Sequence, residues 1–145
     1  PEHTLLVLCS GYFLISLLCF NMCDVFDAYI LEKPENLSDM EKSYIRQHCE
    51  LGMSSLEGFD IPKKYMKVVM QHHERLDGSG YPKGLKGDEI CYNARIVIIA
   101  DVLDAITSFR PYKKPEKLEA AINILRNDEK KYPQELIPIL EKMLF

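Results

Sequence analysis

Residues 72–82 read His72-His73-Glu74-Arg75-Leu76-Asp77-Gly78-Ser79-Gly80-Tyr81-Pro82. Imidazoles, acids and a flexible backbone in so short a run suit a metal or phosphate site better than a plain core. Two more residues extend the set. His48 lies at helical spacing with Met40, Tyr44 and Ile45, which puts it on an inward face. Asp101 sits within Ile96-Val97-Ile98-Ile99-Ala100-Asp101-Val102-Leu103-Asp104-Ala105-Ile106, a stretch apolar on nearly every side. An ionised carboxylate there is costly unless it meets a cation, binds metal or takes a proton. Neutral imidazole and carboxylate are the mixed ligand set that suits iron, manganese or zinc. A single buried histidine is most simply a satisfied core residue. Three of them together with an aspartate turn that reading toward metal, with His48, His72, His73 and Asp101 as the candidate ligands.

Asp104 lies three residues past Asp101 on nearly the same face. It could orient a ligand or a lysine from outside the metal, or pair with Arg95 or Arg110. Arg110 and Lys113 leave the same helix and could clamp phosphate oxygens, the arginine as a fork and the lysine as a point charge. The plainer reading of that pair is a solvated helix end with a favourable dipole.

The elements that must position these groups are helical. Ser38-Asp39-Met40-Glu41 is a capping box, so a helix opens there, with a bend allowed at Gly52 and a shorter helix running on to Leu56. Asp60 or Ile61 caps a second start, with Pro62 near the first helical position. Tyr65, Val68, Val69, His72 and His73 then share one stripe, which Gly78 and Gly80 end. Asn93 can cap a long helix from Ala94 to about Ser108. Lys117 to Leu125 forms another, and Tyr132-Pro133 opens a last one with Leu136, Ile137, Leu140 and Leu144 inward. No internal repeat, low-complexity tract or convincing strand interrupts the pattern, and the expected fold is all-α.

Composition narrows the function. The 145 residues suffice for one domain with a sizeable core, and 47% hydrophobic with 28% charged is ordinary for a soluble globular protein. A net charge of -4 argues against general nucleic-acid binding. Cys9, Cys19, Cys23, Cys49 and Cys91 are odd in number and lack zinc-ribbon spacing, so we expect reduced, buried cysteines in a cytoplasmic protein. Thr4 to Cys23 carries no charge and spans 20 residues. That reaches the length of a membrane helix, about 17–25 residues. Gly11, Ser10, Ser16 and Asn21 dilute it and no basic cluster flanks it, which favours a core helix over an anchor. A chain beginning at Pro1 is expected to be an excerpt of a longer one.

The run His72-His73-Glu74, Asp77-Gly78-Ser79-Gly80-Tyr81-Pro82, Gly84 and Gly87 resembles the central motif of the HD-GYP family. Arg95-Ile96 through Asp101, Asp104-Ala105 and Arg110-Pro111-Tyr112-Lys113 continue the likeness, as do Ile30-Leu31, Lys33-Pro34, Leu37-Ser38, and His48 with Leu51-Gly52. It extends from about residue 30 to the C-terminus. The resemblance implies a helical bundle of the HD/HD-GYP type, its N-terminal helix or helices incomplete here, forming one domain over 1–145 with a divergent segment at 1–29 and a well-matched core at 30–145. It implies a divalent metal, iron or manganese ahead of zinc, and metal-assisted hydrolysis of cyclic di-GMP or a related cyclic dinucleotide in bacterial signalling. His48, His72, His73 and Asp101 match metal ligands, and Tyr81, Arg110 and Lys113 match substrate-binding residues. The Gly80-Tyr81-Pro82 loop matches one associated with docking of partners such as diguanylate cyclases.

One departure cuts against full activity. The family's His-Asp dyad belongs 29 residues before His48, where this chain has Cys19-Phe20, and the lysine that follows the dyad is Cys23. Phenylalanine cannot bridge two metals and Cys19 is a softer donor. The expectation is an impaired or inactive phosphodiesterase domain with one metal or none. The alternatives are a non-enzymatic module that binds a cyclic dinucleotide or a partner protein, and, third, a membrane-tethered regulator anchored by residues 4–23.

Overall fold

The computed structural model describes residues 33, 37–108 and 114–145. Cys19, Phe20, Arg110 and Lys113, with the 4–23 segment, lie outside them. Among the described residues the chain forms α1 (Asp39–Arg46), α2 (His48–Ser55), α3 (Lys63–Gln71), α4 (Tyr92–Thr107), α5 (Leu118–Asn127) and α6 (Ile137–Leu144). Short 3-10 turns precede α4 and α6, at Gly87–Glu89 and Gln134–Leu136. No strand occurs among these residues; one isolated antiparallel bridge joins Asp77 to Lys86. None of the described helices is long and apolar enough to cross a membrane.

The capping box forms as the sequence implies. The Ser38 hydroxyl accepts from the Glu41 amide, and the Glu41 carboxylate accepts from the Ser38 amide at 2.7 Å. Lys33 Nζ donates to the same carboxylate at 2.8 Å. The lysine first, then the Ser38 amide, lower the Glu41 pKa to about 2. The helix does not run through to Gly52. It breaks at Gln47, and α2 restarts with His48 as its first residue. Met40 and Tyr44, expected inward with His48, are exposed, and only His48 of that set is buried. Pro62 occupies the cap of α3, and Cys91 rather than Asn93 caps α4, which begins two residues earlier than its periodicity suggests.

Helix α4 is the centre of the packing. One side carries Ile96, Ile99, Val102 and Ile106 against Ala121, Ile122 and Leu125 of α5 and Leu136 and Ile137 at the start of α6. Another carries Ala94 and Ile98, which close with Ile90 over Leu76, Leu85 and Tyr132. Helix α3 packs on both α2 and α4; Val69 meets Leu56. An apolar helix needs neighbours on most of its circumference, and this one has them. The effect is to set α3 against both α2 and α4, with the residue that follows its C-terminal cap, His73, beside Asp101 of α4.

Candidate metal centre

Three histidines meet where those helices converge. His48 opens α2, His72 caps the C-terminus of α3, and His73 follows it. One ligand atom from each lies within 4.8 Å of the others, a grouping able to hold a metal ion. Ring centroids are 5.3 Å apart for His48 and His72, 4.8 Å for His48 and His73, and 4.1 Å for His72 and His73. Asp101 Oδ2, from the middle of α4, lies 3.4 Å from His73 Nδ1. Asp101 thus adjoins His73 but lies outside the grouping formed by the three histidines.

The tautomers follow from the backbone. His48 Nδ1 is 2.7 Å from the Ile45 carbonyl, and His72 Nδ1 is 2.8 Å from the Val69 carbonyl. A carbonyl only accepts, so each Nδ1 carries the proton and each Nε2 presents a lone pair. Those two Nε2 atoms face one another at 3.2 Å. Burial lowers the pKa of all three imidazoles: His72, to about 4, and His73 are lowered further by the neighbouring histidines. They are neutral near pH 7, so the His48–His72 contact sets one acceptor against another with no proton between. Two buried lone pairs aimed at one point are what a cation would reconcile. The His73–Asp101 approach is, for the same reason, a neutral imidazole beside a carboxylate rather than an ion pair.

Tyr81 walls the cluster. Its ring lies over His73, centroids 4.7 Å apart at 31°, and meets His48 edge-on at 6.2 Å. The Arg46 guanidinium sits 5.1 Å from the centre of the tyrosine ring. Burial, then the neighbouring Cys49 and Asp101, push the phenol pKa up, so it stays protonated. The Tyr81 amide donates to the His73 carbonyl at 3.2 Å, and the Tyr81–Pro82 peptide is cis.

Glu74, quoted in the motif run above without a role, has a structural one here. It is fully buried, and its two oxygens accept from the Lys83 amide at 2.8 Å and the Leu85 amide at 3.0 Å. It therefore ties the far limb of the Gly80-Tyr81-Pro82 loop back to the end of α3. A carboxylate directly after two inward histidines was the available signal. Gly80 permits the same closure: a Cβ there would stand 2.4 Å from the Arg75 nitrogen and from the Glu74 Cα. Asp77 Oδ1 accepts from the Ser79 amide and hydroxyl, at 2.9 and 2.6 Å, tightening the turn. Arg95 clamps the loop's end to α4 through the Ile90 and Gly87 carbonyls and the Asp88 carboxylate. Asp104 Oδ1 accepts from the Ser108 hydroxyl at 2.8 Å, at the C-terminal end of α4.

Comparison with known proteins fits this geometry. The HD domain family matches residues 27–136, beginning after Cys19-Phe20. A cyclic di-GMP phosphodiesterase response regulator from Xanthomonas campestris is 41% identical over 100 residues, 66% of this chain and 26% of its own. A cyclic di-GMP phosphodiesterase from Thermotoga maritima is 38% identical over 117 residues, 79% of this chain and 32% of its own. The chain belongs to the HD-domain family, in its HD-GYP branch. A 3'3'-cGAMP-specific phosphodiesterase from Vibrio cholerae is 39% identical over 99 residues, 68% of this HD-GYP chain and 23% of its own. The chain spans about a quarter to a third of the length of these relatives. In structure it resembles an HDG"Y"P protein from Bdellovibrio bacteriovorus, with a TM-score of 0.62 and 21% identity over 79% of this chain and 37% of that one, a likeness of fold.

Proposed function

We propose that this HD-GYP chain is a cyclic dinucleotide phosphodiesterase domain whose hydrolysis is impaired by Cys19-Phe20 at the dyad position. The observation that carries the binding half of this reading is the pair of buried Nε2 lone pairs, from His48 and His72, facing each other at 3.2 Å. His48, His72 and His73 would hold a divalent cation, with Asp101 beside His73 adding negative charge. The donor set fits: neutral imidazoles fixed by backbone carbonyls, and one carboxylate. A bound divalent ion supplies Lewis acidity that polarises a phosphodiester and stabilises the charge developing on its oxygens.

The chain's own residues do the rest. The Ile45 and Val69 carbonyls fix two imidazoles in the ligand tautomer. Glu74 and Gly80 hold Tyr81 against His73, so an aromatic ring borders the cluster with the Arg46 guanidinium over it. Arg110 and Lys113 follow α4, the helix that carries Asp101, and would take the phosphate oxygens. Asp104, near the start of that segment, would orient one of these cations or a ligand. The relatives named above act on cyclic di-GMP or on 3'3'-cGAMP, which supports the cyclic dinucleotide class without choosing the bases. The Gly80-Tyr81-Pro82 loop would also serve a signalling partner such as a diguanylate cyclase.

The absence of a His-Asp pair at residues 19–20 favours a second reading, a module that binds the dinucleotide without cleaving it. Purified protein incubated with cyclic di-GMP and manganese or iron separates the two. Slow linearisation abolished by His72→Ala supports the impaired enzyme, whereas saturable binding with no product supports the module. Neither binding nor turnover of cyclic di-GMP or 3'3'-cGAMP refutes both.

A further inference from the structure

Arg46 enters the reading above only as a neighbour of Tyr81, yet it stands at the edge of the cluster. It lies in the last turn of α1, two residues before His48. Its guanidinium is 5.1 Å from the centre of the Tyr81 ring, and that ring is 4.7 Å from the His73 ring. One aromatic side chain thus links this cation to a candidate ligand. Arg46 is exposed, and among the described residues it has no ion-pair partner. Other arginines are engaged. Arg95 pairs with Asp88 and Glu135, and Arg126 with Glu141. Arg75, inside the motif run, donates to the Glu74 carbonyl and lies over Tyr132. Arg46 is therefore a charge steadied by a ring beside the site, with its N–H donors open to a ligand.

We propose that Arg46 is a further substrate-binding residue, whose guanidinium takes the oxygens of a phosphodiester of the cyclic dinucleotide. The inference rests on the preceding reading, in that the site must bind that ligand. A cyclic dinucleotide has a phosphodiester at each of its two linkages, both ionised near pH 7, so it calls for positive charge at two places. The bound ion, with Arg110 and Lys113, accounts for one. Arg46 comes from a different element, α1, and answers the other. Its planar fork of donors matches a pair of phosphate oxygens, which a point charge does not. Contact with Tyr81 restricts the long side chain beforehand, so less freedom is lost when the ligand arrives. The competing role is that of a helix-end cation, favoured by the dipole of α1, whose one task is to steady the Tyr81 ring.

Manganese-loaded protein titrated with cyclic di-GMP, 3'3'-cGAMP and cyclic di-AMP distinguishes these roles, because the three share their phosphates and differ in their bases. Arg46→Ala should weaken each ligand that the wild-type protein binds by a similar factor, about 10-fold, the low end for a hydrogen bond to a charged group. Arg46→Lys should recover part of that loss by keeping the charge without the fork. The ratio of wild-type to alanine affinity should shrink as salt rises. Bound manganese and the ring-current shifts between Tyr81 and His73 should stay as in the wild type, and Lys142→Ala in α6 should leave the affinities unchanged. Unchanged affinity in Arg46→Ala overturns the inference and leaves the preceding reading standing. So does a loss confined to the guanine-containing ligands, which would make Arg46 a reader of bases. A salt-independent loss accompanied by displacement of Tyr81 overturns it in favour of the structural role. Wild-type protein that binds none of the three overturns this inference and the preceding reading together.

Discussion

Replacing Glu74 should loosen the loop that carries Tyr81, and the size of the effect can be worked from its contacts. Its carboxylate accepts from two backbone amides, Lys83 and Leu85, 9 and 11 residues away. Hydrogen bonds to a charged group contribute roughly 1.5–3 kcal/mol each, and a buried donor left unpaired costs about 1–3 kcal/mol. Glu74→Ala removes both bonds and opens a void at a fully buried position, so a loss of about 3–5 kcal/mol is expected. Glu74→Gln keeps the volume and one acceptor oxygen, but its amide nitrogen faces an N–H, and about 1.5–3 kcal/mol should go. Denaturant unfolding measures the total, and amide hydrogen exchange at Lys83 and Leu85 locates it. Faster exchange at those two amides, with a graded loss in the order alanine, glutamine, wild type, is the predicted outcome. Unchanged exchange at both amides in Glu74→Ala would refute the argument, because the carboxylate would then not be holding the loop. Loss of stability with those amides still protected would assign Glu74 a role elsewhere in the core.

Other perturbations follow from the same contacts. Gly80→Ala places a methyl 2.4 Å from Arg75 and Glu74 backbone atoms, which cannot swing aside; a loss of about 1–3 kcal/mol in unfolding free energy is expected, with Tyr81 displaced from His73 in the ring-current shifts. Ile98→Ala, in α4 and 1% exposed, should cost about 2–5 kcal/mol in the same assay. The metal-free protein should lose stability on acidification from pH 6.5, the ordinary histidine value, toward about 4, the folded value of His72. In that window the unfolded chain binds a proton that the folded chain refuses, so stability rises with pH and levels off above 6.5. Thermal melts in chelator across that range check the sign, and His72→Gln should flatten the slope.

Local chemistry was legible in the sequence, and long-range chemistry was not. The Ser38–Glu41 box is a four-residue signal and formed as written. The apolar body of α4 announced a buried helix, whereas Asp101 within it lies beside a neutral imidazole, His73, and not beside a cation. His72 and His73 were legible because they continue the face of Val68 and Val69, whereas His48 is buried although Met40 and Tyr44 of its expected stripe are exposed. The break at Gln47 was not legible: periodicity from Met40 to His48 is continuous, but His48 turns its Nδ1 onto Ile45, and only His48 needs burial at the cluster. Met40 and Tyr44 could share that stripe and still lie exposed. Glu74 was missed because its partners are loop amides, and no spacing rule links a carboxylate to nitrogens 9 and 11 residues on. Cys49 was read as a reduced, buried residue, and it is free and fully buried. Asp104 kept two readings in sequence, and its hydroxyl contact with Ser108 ties it to the end of α4, from which Arg110 and Lys113 follow.

The claim most exposed to test is that the facing imidazoles of His48 and His72 hold an ion. Elemental analysis of the purified protein, after incubation with iron, manganese or zinc and removal of free metal, addresses it directly. The account predicts at least one tightly held equivalent, lost in a folded His72→Ala variant. A folded wild-type protein that retains none of the three ions, or a His72→Ala variant that binds as much as wild type, would contradict it.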